Sequence, residues 1–156
     1  MPTPTVGKKI PAFSVTTTAA AKLTNKDLAG APYVLYFYPK DDTPGCTIEG
    51  KDFRDQHAKF KRRKIRILGV SRDTLTSHSK FQTKYELPFE LVSDPDEALC
   101  RLFDVMKDKN MYGKKVRGIE RSTFLVDAAG VLRHEWRKVK VAGHAQEVLE
   151  ALHALD

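Results

Sequence analysis

Cysteine is scarce in this chain. Cys46 and Cys100 are the only two in 156 residues, too few for a disulfide scaffold. They do not form a Cys-x-x-Cys pair, which excludes a thioredoxin-style dithiol site. The five histidines are scattered, and no zinc-ligand spacing occurs. No metal and no cofactor is therefore expected. Long apolar runs are missing as well: none approaches the ~20 residues that span a bilayer. Residues 1–10 lack the apolar stretch of a secretory signal, so the expectation is a cytoplasmic protein with no membrane partner. Neither a repeat nor a linker breaks the chain, and its length suits one domain over residues 1–156. Hydrophobic residues make up 41%, enough for a sizeable core, and charged residues at 30% keep such a chain in solution.

Acidic residues are outnumbered, leaving a net charge of +7. A basic surface can serve nucleic acid. The densest run, Lys59-Phe60-Lys61-Arg62-Arg63-Lys64, falls at the predicted end of a helix, where the dipole favours cations. The other basic residues are spread over many segments, so a solvated surface is the preferred reading and nucleic acid is not expected as a partner.

What is present is a run of strand-formers, Tyr33-Val34-Leu35-Tyr36-Phe37-Tyr38, followed by Pro39-Lys40-Asp41-Asp42-Thr43-Pro44-Gly45-Cys46. The run suits a central strand covered on both faces. A helical pattern then extends to about residue 63, with Cys46, Gly50, Phe53, His57 and Phe60 on one face. Thr43 suits the N-cap and Pro44 the first helical position. Residues 65–71 read as a strand, 74–85 as a helix capped by Asp73 or Thr74, and 90–92 as a short strand. Ser93-Asp94-Pro95-Asp96-Glu97 reads as the opening of another helix. Residues 13–18 with 22–24 read as a hairpin, 106–120 as a long polar loop, and 122–127 with 131–136 as a second hairpin. An amphipathic helix with Val148, Leu149, Leu152 and Leu155 on its face closes the chain. The expected fold is α/β: a mixed central sheet flanked by helices, preceded by an extra N-terminal β-hairpin.

This pattern puts a lone thiol where a buried strand turns into a helix. Only the thiolate is a good nucleophile, and a helix N-terminus or a nearby cation favours it. The Gly45 and Cys46 backbone N–H groups lie in the first turn, unpaired within the helix, and can bind an anion or a developing negative charge. Thr43 adds a hydroxyl. Arg121, just before the predicted strand 122–127, is the candidate cation on grounds of topology. Glu49 has two readings, a carboxylate positioning Arg121 or an ordinary acid near the helix start. His57 and His144 read as structural, since an activated thiolate needs no base. Trp136 reads as core or pocket wall, and the segment with Met111, Tyr112 and Lys114 as a border of the site.

Pro39, Thr43 and Cys46 reproduce a Pro-x-x-x-Thr-x-x-Cys pattern, and with them the chain resembles the peroxiredoxins. The resemblance covers Tyr36 to Thr47, Phe53-Arg54-Asp55, Gly69-Val70-Ser71, Val92-Ser93-Asp94, Glu120-Arg121-Ser122-Thr123-Phe124-Leu125 and Val139-Lys140-Val141-Ala142-Gly143-His144. It is nearest to the bacterioferritin comigratory protein, or peroxiredoxin Q, group. The resemblance implies a thioredoxin-like fold and an antioxidant thiol peroxidase that reduces hydrogen peroxide and organic hydroperoxides. Cys46 would become a sulfenic acid. Thr43, Arg121 and the Gly45 and Cys46 N–H groups would hold the peroxide, and Pro39 would shield the sulfur. The partners implied are an external thiol reductant, thioredoxin or glutaredoxin with glutathione, and the state a monomer or weak dimer.

The chain departs from that group in its second cysteine. Lys51 stands five residues after Cys46, where many members carry a resolving thiol, and the helix over 74–85 has none. Cys100 is left, either as a resolving thiol in an unusual place or as an inert buried cysteine. The latter is preferred, which makes a one-cysteine enzyme the expectation. A redox-sensing or interaction module on the same fold is the alternative from another class.

Overall fold

The computed structural model describes residues 3–155. Its centre is β3, Tyr33–Phe37, in which every residue is buried. The alternation of a strand sends Val34 and Tyr36 to one face and Tyr33, Leu35 and Phe37 to the other, so β3 feeds two separate cores. It pairs in parallel with β4, Arg66–Ser71, and antiparallel with β8, Ser122–Val126. The mixed sheet runs β2-β1-β5-β4-β3-β8-β9, with β1 at Ser14–Thr17, β2 at Leu23–Thr24, β5 at Glu90–Ser93 and β9 at Leu132–Trp136. The N-terminal hairpin is present, and it extends the main sheet through β1 and β5.

Helix α1, Pro44–Arg62, buries Cys46, Glu49, Gly50, Phe53 and Phe60. His57, expected on that face, is only half-buried, and Glu49 joins the buried set instead. Lys59, Lys61 and Arg62 stand in the last turn, as the dipole favours. Helices α2, Leu75–Lys84, and α4, His144–His153, share the core of α1 through Phe81 and through Val148, Leu149 and Leu152. Leu155 packs at the edge of that core. Helix α3, Ala98–Leu102, packs on the other face. It starts later than expected: the Asp94 carboxylate accepts the N–H groups of Leu99 and Cys100 from outside the helix.

Residues 106–120 are not a loop. They form a second, two-stranded sheet of β6, Met106–Met111, and β7, Lys114–Ile119. Tyr112 and Gly113 make the turn, both at positive φ, as a tight hairpin requires. Among the described residues, the base of the ribbon reaches the core, through Met106 and Ile119.

Gly69 shows how tightly β3 and β4 are fitted. A Cβ there would lie 2.8 Å from the Tyr36 ring and hydroxyl and 2.9 Å from Leu91. Tyr36 cannot easily yield, because it stacks on Phe53 at 4.7 Å and meets the edge of Phe89. Gly69→Ala should therefore cost about 1–3 kcal/mol through overpacking. Thermal melting reads this as a loss of about 2–4 °C per kcal/mol. An unchanged midpoint would mean that Tyr36 moves aside freely.

Candidate active site

The site begins where β3 ends. Tyr38 still donates its N–H to Val70 O at 3.0 Å, then Pro39 starts a five-residue connection to α1. Thr43 occupies the N-cap with extended backbone, and Pro44 follows at the first helical position. The first helical hydrogen bond runs from Thr47 N–H to Thr43 O at 2.8 Å. Gly45 and Cys46 lie ahead of it, so their N–H groups belong to the set a helix leaves without internal acceptors. The Thr43 side chain does not cap the helix. Its hydroxyl donates to Lys40 O at 2.8 Å, which leaves the oxygen lone pairs to accept a hydrogen from something else.

Cys46 is 2% exposed. Arg121 Nη2 lies 3.4 Å from its sulfur, and Nη1 donates to Glu49 Oε1 at 2.6 Å. Strand pairing explains the meeting: Phe37 faces Ser122, so the residue before Ser122 sits beside the end of β3. Arg121 O also accepts from Val139 N–H at 3.0 Å, which fixes the backbone there. A Cβ on Gly45 would be 3.1 Å from Arg121 Nη2. Glycine at this position therefore does more than expose an N–H: it lets the guanidinium close on the sulfur.

Glu49 is one turn beyond Cys46 and buried against Arg121. Burial pushes its carboxyl up to about 7, although Arg121 opposes the rise by charge and by hydrogen bond. Its second oxygen, Oε2, has no hydrogen-bond partner among the described residues, and neither has the nearby Tyr36 hydroxyl. Burial works against the Arg121 charge too, but Glu49 and Cys46 outweigh it and hold Arg121 above its ordinary value. The result is a guanidinium shared between a buried carboxyl and a buried sulfur. Such an arrangement stabilises negative charge that appears on either side of the sulfur.

The remaining sequence candidates lie elsewhere or play supporting parts. Pro39 is half-buried at the start of the connection. Cys100 is fully buried in α3, its thiol pushed far up by burial and then by Asp94. It belongs to the core on one face of the sheet, and Cys46 to the core on the other. His144 is buried between Thr123 Oγ1 at 2.7 Å and Glu147 Oε1 at 2.9 Å, and burial lowers its pKa. Trp136 packs on the edge of His144 and stacks on His134. Tyr112 is fully exposed at the tip of the β6–β7 ribbon, and no contact joins it or Lys114 to Cys46 among the described residues.

Fold and site together define a thiol enzyme in which one buried cysteine sits at a helix N-terminus beside an arginine. Comparison with known proteins narrows the class. The sequence profile of the AhpC/TSA family matches residues 6–135. Peroxiredoxin Bcp of Xanthomonas campestris is 60% identical over 81% of this chain and 79% of its own length. Putative peroxiredoxin bcp of Coxiella burnetii is 48% identical over 94% of this chain and 97% of its own. A solved structure of the Xanthomonas campestris bacterioferritin comigratory protein, from work on its alkyl peroxide reduction activity, aligns with a TM-score of 0.86. It is 54% identical and covers 91% of this chain and 90% of that one. The chain belongs to the AhpC/TSA family, in the Bcp or peroxiredoxin Q group. It has their thioredoxin-like fold and is a thiol peroxidase, with a peroxide substrate and a thiol reductant. No helix among the described residues is long and apolar enough to cross a membrane.

Proposed function

We propose that Cys46 is the peroxidatic thiol of a one-cysteine enzyme acting on hydrogen peroxide and organic hydroperoxides. The observation that carries this reading is the 3.4 Å approach of Arg121 to the Cys46 sulfur at the start of α1. The thiolate attacks one peroxide oxygen. An S–O bond forms, the O–O bond breaks, and its electron pair leaves on the distal oxygen. That oxygen takes up the peroxide's proton and departs as water or an alcohol. Arg121 and the Gly45 and Cys46 N–H groups stabilise the charge as it moves from sulfur to oxygen, and the Thr43 oxygen accepts from the peroxide O–H. Pro39 keeps water from the sulfur, and Glu49 positions Arg121.

The sulfenic acid is then reduced from outside. One external thiol displaces water to give a mixed disulfide, and a second thiol releases Cys46. Thioredoxin or glutaredoxin with glutathione fits this role, and the working protein is a cytoplasmic monomer or weak dimer. Support for external reduction comes from the separation of the two cysteines by the whole sheet. A disulfide needs Cα atoms within about 7 Å. After one equivalent of peroxide, dimedone should label Cys46 alone, with no internal disulfide on non-reducing mass analysis. A rapid Cys46–Cys100 disulfide would overturn the one-cysteine reading.

A further inference from the structure

Helix α2 contributes no residue to the peroxide cradle, yet it grips the connection that forms half of it. Between Pro39 and Thr43, Asp41 is buried and Asp42 sits at a φ of 57°. Asp41 Oδ2 is 2.7 Å from His78 Nδ1 and accepts from Ser77 Oγ at 2.8 Å. Its Oδ1 accepts from the Tyr38 hydroxyl at 2.6 Å, and its backbone N–H donates to Asp73 Oδ2 at 2.9 Å. At the far end of α2, Lys84 Nζ and the Tyr85 hydroxyl donate to Asp42 at 2.8 and 2.6 Å. Two consecutive loop residues are thus held by opposite ends of one helix.

The ring of His78 is constrained on both sides. Nε2 lies 2.8 Å from Val92 O in β5, and a carbonyl oxygen only accepts, so Nε2 carries a hydrogen. Nδ1 then faces a carboxylate oxygen. The imidazole is thus held between the β5 carbonyl and the Asp41 carboxyl, 2.7 Å from Nδ1, at a site where His78 is fully buried. Losing Asp41 leaves His78 Nδ1 buried without its close partner, and losing His78 cuts the link from the Asp41 carboxylate to β5 while Ser77 and Tyr38 still donate to it, which makes the bridge from β5 through His78 to Asp41 costly to break.

We propose that His78 is a positioning residue for the peroxide site. It locks α2 and β5 to Asp41, and through Asp41 it fixes the connection that carries Pro39 and Thr43 into the start of α1. This role rests on Cys46 being the peroxide-reacting thiol. The test is a pair of rates in His78→Gln: oxidation of Cys46 by hydrogen peroxide and its alkylation by iodoacetamide. Oxidation should slow about tenfold or more, because misplacing one wall of a reacting geometry is expensive. Alkylation should stay within about twofold, because Arg121 and the helix N-terminus are untouched. A lower melting temperature with both rates unchanged would reduce His78 to structural glue and overturn the proposal. An equal fall in both rates would also overturn it, since the thiol rather than the cradle would be affected. If His78→Gln does not fold, the double variant Lys84→Met/Tyr85→Phe loosens only the exposed grip on Asp42. It should show the same split, smaller in size, and unchanged oxidation there sinks the idea. A parent protein whose Cys46 ignores peroxide would instead remove the peroxidase reading, and the latch with it.

Discussion

Cys46→Ser should bring hydroperoxide consumption, measured with dithiothreitol as reductant, down to the uncatalysed background. A serine hydroxyl has no accessible anion at neutral pH and no base beside it, and loss of an enzyme's nucleophile costs on the order of 10³-fold or more. The replacement is nearly isosteric at a 2% exposed position, so the fold should survive. Cys100→Ser should leave the same assay close to the parent value. Its sulfur lies in the core across the sheet, beside Asp94, so any loss there should appear as lower stability rather than lower activity. Consumption by Cys46→Ser at the parent rate would show that the chemistry is carried elsewhere.

Arg121→Met should be the next most damaging change to rate, lowering kcat/KM for peroxide by about 10²–10³-fold through loss of a fixed donor. It should also change how stability depends on pH. Glu49 is held near 7, above its ordinary 4.5, so the folded parent binds more protons than the unfolded chain between those values. Its stability from this group is fully present below about pH 4.5 and declines as pH rises through 7. Arg121 is what restrains the Glu49 pKa, so without it the carboxyl rises further and the decline continues into the alkaline range. The variant should melt close to the parent near pH 5 and fall progressively behind above pH 7, by up to about 1.4 kcal/mol per unit. Denaturant melts at several pH values check this, and a pH-independent gap would mean that Glu49 is ionised throughout. Arg121→Lys should recover little, because one ammonium cannot reach Glu49 and the sulfur with the two-pronged geometry of a guanidinium.

The central strand and the reactive turn were legible in the sequence because each rests on local rules. Six consecutive strand-formers suit a strand covered on both faces, and Thr43-Pro44 before a 3.6-residue stripe suits the start of a helix. Arg121 was legible through topology: a strand antiparallel to β3 must bring its start beside the end of β3. The hairpin over 106–120 was not legible, because Lys114 to Arg117 of β7 are exposed on both faces and apolar alternation never develops. Its one local signal was Gly113 after Tyr112, at the turn. Asp94 lay in the stretch read as the capped opening of α3, but the start at Ala98 was not legible, because Asp94 accepts from Leu99 and Cys100 from four residues outside the helix. The pairing of Asp41 with His78 was hidden for a simpler reason: 37 residues separate them, and neither belongs to a local pattern.

The way β3 hands over to α1 has a consequence for the order in which the molecule comes apart. Tyr33–Phe37 is hydrogen-bonded by neighbours on both sides and buried on both faces, so its amides exchange with solvent only when the whole sheet opens. From Pro39 onward the chain is held instead by side chains, Asp41 by His78 and Ser77 and Asp42 by Lys84 and Tyr85, and by the first turn of α1. Amide exchange should therefore show two kinds of protection within a few residues, one set by opening of the sheet up to Tyr38 and one set by the grip of α2 beyond it. The sulfur belongs to the second, and the strand that aims it to the first.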